Sequence, residues 1–132
     1  MKFISLILFM FFIHSAVCQT QAQYNQSAAE RLKEVEEKMQ AALNNMATVY
    51  QADTTFLAAA QESQKAWLVW RDAQIRMKYP KREIGWYGSN HGMCLAMYKT
   101  ELTRKRVDEL KVWVDGIEEG DGCAGTVRSK DY

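Results

Sequence analysis

The chain has 132 residues, 48% hydrophobic and 25% charged, with 17 basic against 16 acidic side chains. That is the length of one domain, and so even a balance excludes the basic stripe expected of a nucleic-acid binder. One proline, and seven glycines that all follow residue 84, argue against a β-rich or disordered chain, while two histidines and three cysteines are too few for a dense metal cluster or a disulfide-stapled miniprotein.

Lys2 is followed by the apolar run 3–13 and then by the polar run 19–26. A positive charge ahead of a short apolar stretch is the pattern of a secretory signal, too short to span a bilayer. Residues 1–22 are therefore read as a signal peptide and 23–132 as the mature domain, with cleavage after Cys18 or after Ala22. Lipidation at Cys18 fits less well, because Ser15-Ala16-Val17 lacks a small residue directly before the cysteine. Lys2 and His14 leave with the signal, so the mature chain is formally neutral, holds His91 as its one histidine and has no transmembrane segment. It is expected in the periplasm or outside the cell, where Cys94 and Cys123 meet an oxidising environment.

In the segment 28–50, Ala28, Leu32, Val35, Met39, Ala42, Leu43, Met46, Val49 and Tyr50 recur at steps of three and four, which predicts a first amphipathic helix. Asp53 reads as the N-cap of a second, running through Phe56, Ala60, Trp67, Trp70 and Met77 to about Tyr79, where Pro80 stops it. The methionines and tryptophans at helical spacing read as core rather than as a cofactor box. Residues 81–92 lack a helical period and form a loop. A third helix carries Leu95, Leu102, Leu110, Trp113 and Ile117 on one face and ends before Gly116. Glu118, Glu119 and Asp121 read as a solvated tail. The expected fold is all-α, a small antiparallel three-helix bundle.

Two charges fall on apolar faces. At about 100° per residue, Arg71 lies close to the line through Phe56, Ala60 and Trp67, and Arg106 lies between Leu102, Leu110 and Trp113. Each guanidinium needs a carboxylate or carbonyls, because an unpaired buried charge costs several kcal/mol. Glu109 and a carboxylate of the first helix are the candidates. A structural ion network or arginine stems reaching outward explain both positions more simply than a ligand site does.

The segment Gln64-Lys65-Ala66-Trp67-Leu68-Val69-Trp70-Arg71-Asp72-Ala73, followed by Gly88-Ser89 and by Glu101-Leu102-Thr103-Arg104-Lys105-Arg106 with Leu110, resembles the LprI-like family, small exported bacterial proteins named for a lysozyme inhibitor. The resemblance covers about 58–110. It implies a non-enzymatic protein that binds and inhibits lysozyme, while Trp67, Arg71, Asp72 and Arg106 are read as structural. The family's two cysteines fall here on Ile75 and Tyr98, which implies an apolar contact between helices two and three in place of a bond.

Cys94 and Cys123 lie elsewhere and are candidates for a structural pair. A helix from Cys94 to Gly116 is about 33 Å long and the return to Cys123 reaches about 24 Å, so bonding requires the helix to end by about residue 114 or Cys94 to precede it. A free thiol is the alternative.

Among chemistries, hydrolysis by Ser89 and His91 lacks a nucleophile elbow, zinc lacks a fourth ligand beside His91 and two cysteines, and covalent haem lacks its motif, so no metal or cofactor is implied. The loop 81–92 instead gathers Arg82, Trp86, Tyr87, Ser89 and His91, and aromatic and arginine side chains are the usual anchors of interfaces. A loop of cations and donors suits a lysozyme cleft, which works with a pair of carboxylates. The competing readings are that Trp86 or Tyr87 folds back over the bundle end, that the chain is an envelope adaptor with another protein partner, or that it is a hydrolase using His91.

Overall fold

Apolar residues spaced three and four apart close the core between α1 (Lys2–Val49) and α3 (His91–Asp115), and α2 (Thr54–Lys78) returns beside them. The computed structural model describes residues 2–130, with side chains from Thr20 onward. The expected signal cleavage at Cys18 and its lipidation concern side chains outside that set. No strand occurs among the described residues, only an isolated parallel bridge between Ile117 and Ser129. The chain is an all-α three-helix bundle.

α1 supplies Val35, Met39, Ala42 and Met46 to the core, Tyr50 joins them just past its end, and α3 supplies Val107 and Leu110. Cross-contacts fix the directions. Asn25 meets Met93, the Tyr50 hydroxyl meets Trp113, and α2 crosses in the opposite sense, with Arg71 reaching Glu36 on α1 and Thr103 on α3. α1 and α3 thus run parallel, and α2 is antiparallel to both. α2 begins as expected, the Asp53 carboxylate accepting from the Phe56 amide at 2.9 Å, and it ends just before Pro80.

Three expectations need correction. The first helix is longer than the segment 28–50, because α1 also runs through the polar stretch 19–26. Its Asn25 side chain does what Asn90 does not. Asn90, at the N-cap of α3, makes no side-chain cap, and the Met93 amide donates to Asn25 Oδ1 at 3.0 Å. Trp70 and Met77 are exposed rather than core, since they stand on the flank of α2 beside the packed stripe of Phe56 and Trp67 rather than within it. Ile117 lies beyond α3, where its amide donates to the Arg128 carbonyl.

Glu118, Glu119 and Asp121 are exposed, as expected, on a tail that is nonetheless ordered. Residues 116–130 fold back, with Lys130 Nζ on Glu118 at 2.6 Å. The Tyr50 hydroxyl donates to the Trp113 carbonyl at 3.0 Å and accepts from the Arg128 amide at 3.1 Å. Gly116 makes the turn at φ 78°, and a Cβ there would stand 2.9 Å from the Arg128 carbonyl oxygen, so only glycine fits.

Candidate functional site

The connector between α2 and α3 is a short chain of tight turns. The Trp86 amide donates to the Glu83 carbonyl, the Gly88 amide to Gly85 and the His91 amide to Gly88. Gly88 sits at φ 76°, a region that side chains disfavour. These turns divide the expected site residues into two groups.

Tyr87 and His91 face inward. Their rings stack at 4.6 Å between centroids, and Tyr79 at the end of α2 meets both edge-on, at 5.5 Å and 5.1 Å. The Tyr87 hydroxyl donates to the Pro80 carbonyl at 2.6 Å. His91 belongs to the first turn of α3, not to the loop, and its Nδ1 is buried with no hydrogen-bond partner among the described residues. Tyr79 is the member that periodicity alone could not assign, since it is simply the last residue before Pro80.

Arg82, Trp86 and Ser89 face outward. All three are exposed, as is Ile84, and the Arg82 guanidinium lies 5.6 Å from the Trp86 ring centroid. That stacking holds a cation beside an exposed indole on a connector fixed from beneath by aromatic packing. No hydrogen bond joins Ser89 to His91 among the described residues, so no nucleophile and base are paired there.

The two core arginines form a polar seam that attaches α2. Arg71 Nη1 lies 3.3 Å from Glu36 Oε1 and 3.4 Å from Thr103 Oγ1, and its guanidinium stands 5.3 Å from the Trp67 ring centroid. Arg106 donates to Gln64 Oε1 at 3.1 Å, Glu109 Oε2 at 3.1 Å and Ser63 Oγ at 3.2 Å, with Trp67 at 5.8 Å. The carboxylates anticipated for both arginines are present. Asp72 is exposed and reaches only its neighbour, Arg71 Nε, at 3.8 Å. Thr103, fully buried, and Gln64 were not anticipated. Thr103 could have been found from its place midway between Ala96 and Leu110 at heptad spacing.

Cys94 and Cys123 are both free. Cys94 lies inside α3, which runs to Asp115, and this is the geometry that keeps Cys123 out of reach. Tyr98, at a position where relatives were expected to hold a cysteine, packs against the end of α2, with Lys78 Nζ 3.8 Å from its ring centroid. Among the described residues no group of three or more histidine, cysteine or acidic side chains could hold a metal ion, and no helix is long and apolar enough to cross a membrane.

No curated protein and no solved structure gives a significant match. The profile of a family described as lysozyme inhibitor LprI matches residues 15–110. It extends well ahead of the segment 58–110, taking in the whole described core face of α1 together with α2, the connector and most of α3. The chain belongs to the lysozyme inhibitor LprI family.

Proposed function

We propose that this protein is exported to the periplasm or beyond, acts by binding rather than by catalysis, and inhibits lysozyme through the outer side of the connector. The observation that carries this reading is the pairing of exposed Trp86 and Arg82 on a segment held by the Tyr79–Tyr87–His91 cluster. A rigid support lowers the entropy lost on binding, so a small aromatic and cationic patch can act as an anchor. Arg82 would meet a carboxylate of the enzyme's cleft, Trp86 would fill apolar surface beside it, and Ser89 would add a hydrogen bond at the rim. Tyr87 and His91 would act from beneath, fixing the loop.

The test is inhibition of several lysozyme types by the purified protein and by the combined variant Arg82→Ala, Trp86→Ala, Ser89→Ala. The variant should lose inhibition and keep its helical circular dichroism, because none of the three side chains enters the core. Equal inhibition by parent and variant would move the site off the connector. A parent that inhibits no lysozyme type would discard the lysozyme reading and leave an envelope adaptor with a different protein partner.

A further inference from the structure

α2 carries exposed apolar residues beside and behind its packed stripe. About its axis, Phe56, Ala60, Trp67 and Arg71 turn toward α1 and α3. Val69 turns the opposite way, Trp70 and Met77 stand on the flank between, and the three are 68%, 48% and 71% exposed. Between them in angle, Ala66 and Ala73 lie seven residues apart, are exposed and leave the helix backbone open to close approach. Large apolar side chains gathered on one exposed helix face mark an interaction surface.

The charges on the flank of this face identify what covers it. Glu62 and Arg76 lie seven residues before and seven after Val69, on the same edge of the helix, and both are exposed. Neither makes an ion pair or side-chain hydrogen bond among the described residues.

We propose that a second copy of this chain docks here, α2 against α2 in antiparallel alignment, with a two-fold axis at Val69. In that arrangement Glu62 of each copy stands level with the partner's Arg76, so two ion pairs form symmetrically, one on each side of the axis. Ala66 and Ala73 bring the two helices close, and the two Trp70 rings cover the opposite edge. A parallel alignment would instead set Glu62 against Glu62 and Arg76 against Arg76. The face is thus self-complementary in one orientation only. A single helix about 37 Å long makes a small interface, so the dimer should depend on concentration. The connector plays no part in this, and the proposal stands whether or not the protein inhibits lysozyme.

Sedimentation velocity on the protein purified from its host, from about 1 µM to about 1 mM, tests the proposal. The parent should pass from monomer to dimer in this range. Glu62→Arg and Arg76→Glu each place like charges together at both pairs, and each should weaken dimerisation about ten-fold or more. The double variant Glu62→Arg, Arg76→Glu rebuilds both pairs with reversed polarity and should return to within about three-fold of the parent. Circular dichroism will show that all three variants keep their helices. A parent that stays monomeric throughout would assign the face to some other partner and overturn the proposal. So would a dimer indifferent to either single reversal, one tightened by it, or one that the double variant fails to restore.

Discussion

Replacing Arg71 with alanine should show how α2 is held, because α2 buries no residue fully and depends on its polar seam. The Arg71 side chain is 13% exposed and its Glu36 partner 42% exposed. Glu36 can therefore regain water when the arginine is removed, and the ion pair itself contributes only about 0.5–1 kcal/mol. The larger loss is at Thr103, whose fully buried hydroxyl would be left without its donor, at about 1–3 kcal/mol. Contact with Trp67 adds about 1 kcal/mol, and relief of the guanidinium's own desolvation offsets part of the whole. The expected destabilisation is about 3 kcal/mol, a large fraction of the 5–15 kcal/mol typical of a domain. Urea unfolding followed by circular dichroism should place the Arg71→Ala midpoint about 1–2 M below the parent. Glu36→Gln should cost about 1 kcal/mol or less. A double-mutant cycle should then find weak coupling between positions 71 and 36 and stronger coupling between 71 and Thr103→Val. A loss below about 1 kcal/mol for Arg71→Ala, or a 71–36 coupling above about 3 kcal/mol, would refute this account of the seam.

Three further outcomes are expected. Tyr50→Phe removes the hydroxyl that bridges Trp113 and Arg128, so the tail 116–130 should become open to proteolysis and the Arg128 amide should exchange faster, with about 1–2 kcal/mol lost; unchanged exchange would show that the tail is held by other contacts. Asn25→Ala should fray the first turn of α3, and faster exchange confined to the Met93 amide and its neighbours would confirm it, whereas loss throughout α3 would not. Hydrogen bonds from Lys38 and Lys105 hold the carboxyls of Glu34 and Glu101 below the ordinary 4.5. Their contribution to helix content is complete above that value and fades as pH falls through the lowered values, so acid should fray α1 and α3 at these turns. Lys38→Gln with Lys105→Gln should flatten that part of a circular-dichroism titration, and identical titrations would contradict the assignment.

Features with a local cause were legible in the sequence. Pro80 ends α2 because it cannot continue a helix, Asp53 starts it because its carboxylate reaches an otherwise unpaired amide, and the phase of Arg71 within its helix places it against the bundle. Trp70 and Met77 are exposed because they sit at the edge of the packed stripe of α2, and periodicity reports an apolar stripe without saying how much of its width is covered. The Tyr50 hydroxyl and the Asn25 cap join residues more than sixty positions apart, and such contacts leave no period in a sequence. The inward turn of Tyr87 and His91 was hidden for a related reason. It depends on Tyr79, which reaches them only once α2 and α3 lie side by side.

That α3 borrows its first cap from Asn25 also bears on the order in which the chain can assemble. A helix with its own cap can begin wherever its sequence permits, but the Met93 amide finds its acceptor only on α1. Synthesis proceeds from the N-terminus, so α1 is complete some forty residues before α3 begins, and the acceptor is waiting when the donor arrives. The reverse order would leave the start of α3 with an unsatisfied amide and the stack beneath the connector without a fixed base. Gln21 donates to the same Asn25 oxygen at 3.2 Å, so a chain trimmed after Cys18 would keep that support and one trimmed after Ala22 would lose it. In the exported form proposed above, the position of cleavage would thus set how firmly Asn25 is held at the first turn of α3.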